Sequence, residues 1–311
     1  MRIRPGIGDA LWMAAGAAIL LLFIVLVMLF TKPPNPEAQL AFKARRLALV
    51  DRMQLGLASA SEAEKSAVLA LTDRESQTFA DQARARTADV ERERSDLAEL
   101  LKQGGTQGEK HLLDEFSQRF ADFQRVDDEV LGLAVQNTNL KAYALTFGPA
   151  AEALHEMGSA VSRLVAANFE TRDAKRVASL ALDAEIAALR IETMLPPHIA
   201  ETSDARMDAL EARMTTEDEQ VRSDLEGLHR LGKLDDEADL SVATSRYARF
   251  GEIKSQILVL SRQNTNVRSL SISLNQKRKV MNDCHDVLDE LRKAIEKEPV
   301  EGLRYGSRFR G

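Results

Sequence analysis

Cysteine is almost absent from this chain: Cys284 is the one thiol in 311 residues. A lone thiol excludes an intrachain disulfide framework, a multi-cysteine zinc site and C-x-x-C-H haem attachment, and it leaves the redox compartment unread. Proline is scarce, at 8 residues, and aromatic residues make up 5%, a balance that points toward long helices. The net charge of −6 is mild, and no basic patch interleaved with aromatics occurs, which argues against nucleic acid as a partner. Also missing are H-E-x-x-H, the P-loop, G-x-G-x-x-G and G-x-S-x-G. No enzymatic activity is therefore expected, and no cofactor is assigned. His285 with Asp286 or Asp289, beside Cys284, could put two ligand types on one helical face. An isolated pair of this kind is more often solvated helix surface than a metal site.

What the chain has instead is one long apolar run, from Ala10 to Phe30, with 21 uncharged residues. At about 1.5 Å per residue it spans a hydrocarbon core of about 30 Å. It exceeds the h-region of a signal peptide and is read as an uncleaved transmembrane anchor over residues 10–31. Arg2 and Arg4 in the flank 1–9 favour a cytoplasmic N-terminus, whereas Lys32, Lys43, Arg45 and Arg46 follow the span. Long domains translocate largely regardless of such charges. Residues 32–36, Lys32-Pro33-Pro34-Asn35-Pro36, predict a short, stiff, extended spacer.

Beyond the spacer the chain is rich in helix formers, and breaker signals divide it. Gly104-Gly105-Thr106-Gln107-Gly108 ends a first helix that starts near Glu37. Phe169-Glu170-Thr171-Arg172 ends a second, Leu231-Gly232-Lys233 a third, and Pro299 a fourth. Four helices of roughly 60 residues should fold up-down-up-down into an all-α, antiparallel four-helix bundle about 90 Å long over residues 37–298. A flexible tail, 299–311, carries Arg304, Arg308 and Arg310.

The chain also repeats itself. Gln136-Asn137-Thr138-Asn139 recurs as Gln263-Asn264-Thr265-Asn266, 127 positions later, and Arg119-Phe120-Ala121-Asp122-Phe123 matches Arg246-Tyr247-Ala248-Arg249-Phe250 at the same offset. Leu140 to Phe147 parallels Val267 to Leu274. Ala44-Arg45-Arg46-Leu47-Ala48 resembles Ala174-Lys175-Arg176-Val177-Ala178, 130 positions apart. The pattern is that of a duplicated helical hairpin, with repeats at about 37–168 and 172–298. In that arrangement helices 2 and 4 run parallel, and the two QNTN segments lie at one height. Helical periodicity then turns Asn137 and Asn264 toward the core as diagonal partners.

Two readings of this polar layer stand open. In one, the asparagines set register and pairing, at some cost in stability. In the other, the layer floors a small-molecule site, with Asn137, Asn139, Asn264, Thr265 and Asn266 as hydrogen-bonding groups and Lys141 or Arg268 holding an anion. Leu195-Pro196-Pro197-His198 and Gly148-Pro149 interrupt helices 3 and 2 at similar heights. Pro149, Pro196 and Pro197 mark either a hinge between two modules or kinks that follow bundle curvature.

An anchor continuing into antiparallel helices, the last carrying RQNTNVRSLSISLNQKRKVMNDCHDVLDELRKAI from Arg262 to Ile295, resembles the four-helix-bundle sensory modules at the periplasmic end of methyl-accepting chemotaxis proteins and related receptors. The likeness is one of architecture and helix texture over about Glu37 to Glu298. It implies a single-pass protein of the inner membrane with a ligand-sensing bundle in the periplasm, often dimeric, which passes small helix shifts through the membrane. The related helical bimodular arrangement, two stacked bundles, is also allowed. Receptors of this kind carry a second membrane span and a cytoplasmic signalling region after the bundle. Here only the short tail follows, so the signal is expected to pass sideways to a receptor subunit or sensor kinase. The alternative function is a membrane-anchored structural rod or adaptor.

Overall fold

The computed structural model describes residues 35–232 and 234–300. The expected anchor at 10–31, its flank 1–9 and residues 301–311 of the tail lie outside the described residues. Among those described, no helix is long and apolar enough to cross a membrane.

The described chain is helical. Ten α-helices follow in order: α1 Pro36–Leu69, α2 Asp73–Gly104, α3 Gln107–Ala134, α4 Thr138–Leu145, α5 Ala151–Ala167, α6 Ala174–Ala200, α7 Asp204–His229, α8 Glu237–Gln263, α9 Thr265–Ile272 and α10 Arg278–Lys297. A π-helical turn, Thr146–Ala150, joins α4 to α5, and another, Ser273–Lys277, joins α9 to α10. The two π turns are again 127 positions apart, although only the first contains a proline, Pro149. Proline therefore does not by itself explain this bulge.

The helices sort into two four-helix bundles stacked end to end. In the first, α1, α2 and α3 pack with α9 and α10; in the second, α4 and α5 pack with α6, α7 and α8. Each has its own buried core. Phe116, Phe120 and Phe123 fill the first, and Ala181, Ala184, Ala188, Ile191 and Phe250 lie in the second. Only the two composite helices, α3 to α5 and α8 to α10, belong to both bundles. Each spans roughly 60 residues, or about 90 Å.

This corrects the single bundle of four long helices in three respects. Residues 37–102, expected as one helix, form a hairpin that turns at Ala70-Leu71-Thr72. Thr72 caps α2, its Oγ1 accepting from the N–H of Glu75 at 3.2 Å. Residues 172–230 form a second hairpin, which turns at Glu201-Thr202-Ser203, while Pro196 and Pro197 remain inside the end of α6. These prolines remove two backbone donors from the closing turns of α6 without ending it. Finally, α3 to α5 leaves the first bundle for the second, whereas α8 to α10 leaves the second for the first. The long helices run antiparallel, because each undetected turn reverses the direction of everything after it.

The spacer is corrected at its end as well. Asn35 is the N-cap of α1, its Oδ1 accepting from the N–H groups of Glu37 and Ala38 at 3.1 and 3.3 Å, and Pro36 opens the helix. Proline is favoured there because its missing N–H would have had no helical partner.

Candidate functional site

The two QNTN segments are the places where the long helices pass from one bundle into the other. Asparagine and threonine are weak helix formers, and asparagine tolerates the left-handed region better than other side chains. Both Asn137 (φ 50°, ψ 38°) and Asn264 (φ 52°, ψ 38°) adopt that conformation. Each breaks its helix and sends the chain on in a new one. A new helix begins with backbone N–H groups that lack intrahelical acceptors. Neither Asn137 nor Asn264 caps its own helix through its side chain.

The caps come from the other crossing. The Thr138 N–H donates to Thr265 Oγ1 at 3.2 Å, and the Thr265 N–H to Thr138 Oγ1 at 3.1 Å. The Asn139 N–H donates to Asn266 Oδ1 at 3.1 Å, and the Asn266 N–H to Asn139 Oδ1 at 3.2 Å. The amide groups close the set: Asn139 Nδ2 donates to Asn264 Oδ1 at 2.7 Å, and Asn266 Nδ2 to Asn137 Oδ1 at 2.9 Å. Every one of these contacts has its counterpart 127 residues away, so the layer is a local two-fold knot. Further amide protons of Asn137, Asn139 and Asn264 reach the two hairpins. Asn137 Nδ2 donates to Asp73 Oδ1 at 3.0 Å, Asn264 Nδ2 to the Glu201 carbonyl at 2.7 Å, and Asn139 Nδ2 also to the Ile199 carbonyl at 2.7 Å.

Five of the seven expected binding residues therefore meet, as neighbours across a two-fold crossing rather than as diagonal partners of parallel helices. Asn137, Thr138, Asn139, Asn264 and Thr265 are buried, and Asn266 is half-buried. Lys141 lies at the edge, where Nζ donates to the Gln136 carbonyl at 2.8 Å and pairs with Asp73 Oδ2 at 3.1 Å. Lys141 and Asn137 together hold the Asp73 carboxyl below its usual range. Arg268 is exposed. The hinge candidates Pro149, Pro196 and Pro197 lie on the second-bundle side of the crossing, within helical segments.

Sequence reading missed what lies behind the layer. At the end of α6 the buried His198 places Nδ1 2.7 Å from Ser261 Oγ and Nε2 2.8 Å from Glu211 Oε1, while Ser261 Oγ donates to the His198 carbonyl at 3.0 Å. Arg262 holds the Glu211 carboxyl below its usual range. Serine, histidine and glutamate are hydrolase residue types, yet both His198 and Ser261 are fully buried, and the hydroxyl proton is committed to a carbonyl. The chain of contacts ties the end of α6 to α7 and α8. Asp73 and Glu201 were missed because their turns were missed. The spacing of Thr72 and Glu75 carries the S/T-x-x-E signature of a helix start and could have revealed the first.

Beside the His285 pair, Cys284 lies in the first core, its thiol pushed up to about 12 by burial, and Asp289 accepts from Gln54 Nε2 at 2.6 Å. Comparison with protein-family models, with curated proteins and with solved structures finds no match for this chain.

Proposed function

We propose that this protein is a membrane-anchored helical sensor whose two stacked bundles pass helix displacements toward the membrane and on to a partner there, a receptor subunit or sensor kinase. The observation that carries the reading is the pair of composite helices. A shift of α5 or α8 in the second bundle is carried through one hydrogen-bonded layer into α3 and α10 of the first, which both pack against α1, the helix that follows the expected anchor. Coupling needs such a physically continuous element with discrete arrangements. The second bundle also offers a place for a ligand: a groove of about 600 Å³ between α5 and α6, lined among others by His155, Ser159, Ser162, Glu185 and Glu192. Burial raises the Glu192 carboxyl above its usual range. Placement in the inner membrane with the bundles in the periplasm, and dimerisation, belong to the same proposal.

A structural rod or adaptor is the second reading, favoured by the way the QNTN side chains use their hydrogen-bonding capacity on one another and on the hairpin turns. A thermal-shift screen of the full chain in detergent separates the two. Amino acids, organic acids, polyamines and aromatic acids form the panel. A ligand at about 100 times its Kd adds about 2.7 kcal/mol of stability. A hit abolished by Glu185→Gln or Glu192→Gln supports the sensor; a flat response across the panel sinks it in favour of the rod.

A further inference from the structure

The first bundle contains more buried charge than its hydrogen bonds account for. Glu64 on α1 is fully buried, and neither of its carboxylate oxygens has a hydrogen-bond partner. Three charged groups act on it: Lys277 from the second π turn, Asp127 from α3, and Lys65 from its own helical turn. The π turn also brings the Ser273 hydroxyl near enough to favour an ionised Glu64, though outside strict hydrogen-bond geometry and with less effect than burial, and α2 contributes Thr87, whose hydroxyl donates to Asp127 Oδ2 at 3.4 Å. Lys277 is already engaged. Its Nζ donates to Asp127 Oδ1 and lies 3.6 Å from the centre of the Phe123 ring.

One ammonium group thus stands among two carboxyl groups, at residues 1%, 0% and 2% exposed for Lys277, Glu64 and Asp127. If all three were ionised, the layer would hold a net negative charge with no solvent to screen it. A buried charge without a partner is far more costly than the neutral acid, so such a group takes up a proton instead.

We infer that Glu64 carries a proton in the folded protein and that the first bundle is a one-proton switch, tight when Glu64 is neutral and loosened when it ionises and competes with Asp127 for Lys277. Burial, the largest influence on Glu64, lifts its carboxyl above the ordinary value of 4.5. Burial also lifts Asp127 and lowers Lys277, and their direct contact offsets part of both shifts. A carboxyl raised in the folded state contributes stability that is fully present below the unfolded value and is lost as pH rises through the folded one. In the second bundle the positions matching Lys277 and Glu64 are apolar. The residue 127 positions before Lys277 is Ala150, and aligning the caps Thr72 and Ser203, 131 apart, matches Glu64 with Leu195. The inference rests on the buried layer alone and holds for a sensor or a rod.

The test uses the full chain in detergent micelles, unfolded by denaturant from about pH 5 to about pH 9. Wild type should lose stability as pH rises, its unfolding constant growing by up to about tenfold per pH unit between the unfolded and folded pKa values. Glu64→Gln, and Glu64→Leu, which copies the second bundle, should flatten that dependence. Equal slopes in wild type and both variants would overturn the switch. Infrared spectroscopy reads the proton without relying on a variant that folds. A protonated-carboxyl band in the folded wild type at neutral pH, which fades as pH rises, supports the inference, and a spectrum without that band overturns it.

Discussion

Along α3 of the first bundle, Phe116, Phe120 and Phe123 stack with ring centres 5.4 and 5.8 Å apart; the positions 127 residues later in the second bundle are Ala243, Tyr247 and Phe250. The first core also encloses Arg46 with Glu109, and Lys277 with Asp127 and Glu64. The second is built around the small side chains of α6, namely Ala181, Ala184, Ala187 and Ala188. There the position 127 after Asp127 is a lysine, Lys254, which is half-buried and lies 3.1 Å from Asp218. The same plan of hairpin, crossing and π turn therefore supports an aromatic and ionic core in one half and an alanine-rich core in the other. The crossing repeats while the cores differ, because helix packing tolerates many volume-compatible fillings but a cap needs its particular acceptor.

The largest expected contrast lies between the two lysines. Lys277→Met strands Asp127 in the first core and should cost about 3 to 5 kcal/mol, the usual result of breaking a buried pair from one side. Lys254→Met leaves Asp218 still accepting from Tyr247 at 2.6 Å and Arg222 at 2.7 Å, and should cost about 1 kcal/mol. Denaturant unfolding of both variants checks this, and equal costs would mean that the two cores do not differ in the way described.

The crossing should behave oppositely, affecting both halves together. Thr138→Val and Thr265→Val each remove the acceptor for the other's N–H, at about 1 to 3 kcal/mol apiece. Since the two hydroxyls share one reciprocal contact, the double variant should cost less than the sum by at least about 0.5 kcal/mol. Strict additivity in a double-mutant cycle would contradict the two-fold knot.

The smallest effect concerns the hairpin turns. The first is capped by the neutral hydroxyl of Thr72. At the second, Arg206, with the N–H groups of Ser203 and Thr202, holds the Glu201 carboxyl down to about 2. A depressed carboxyl contributes stability above its ordinary value of 4.5, and that contribution disappears as pH falls toward 2. Arg206→Ala should bring Glu201 back toward the ordinary range in an NMR carboxyl titration. A carboxyl that stays near 2 without Arg206 would assign the depression to the N–H donors of the turn.

Much of this could be read from residue types. The repeat, its offset of 127 and the polar layer at each QNTN follow from matching side chains in order, whereas the helices expected to run on through both segments are broken there by left-handed Asn137 and Asn264. The hairpin turn at Ala70–Thr72 was hidden because the residues around it, from Ala58 to Gln82, contain neither glycine nor proline, which leaves the cap signature of Thr72 and Glu75 as the local sign of a turn. At the second hairpin the paired prolines drew attention to residues 196 and 197, although the last turn of α6 accommodates them and the chain reverses only at Glu201. Missing two turns left the helix composition nearly right and the directions wrong.

Local chemistry by itself determined that the chain is helical, that it repeats at an offset of 127, and that both QNTN segments form a polar layer, since propensity and periodicity are properties of neighbouring residues. Only the tertiary structure decided that the long helices cross antiparallel and that each caps the other. A helix N-terminus announces in sequence that its N–H groups need acceptors. Which acceptors they find, here Thr265 and Asn266 for one crossing and Thr138 and Asn139 for the other, depends on where packing brings residues that lie 127 positions apart.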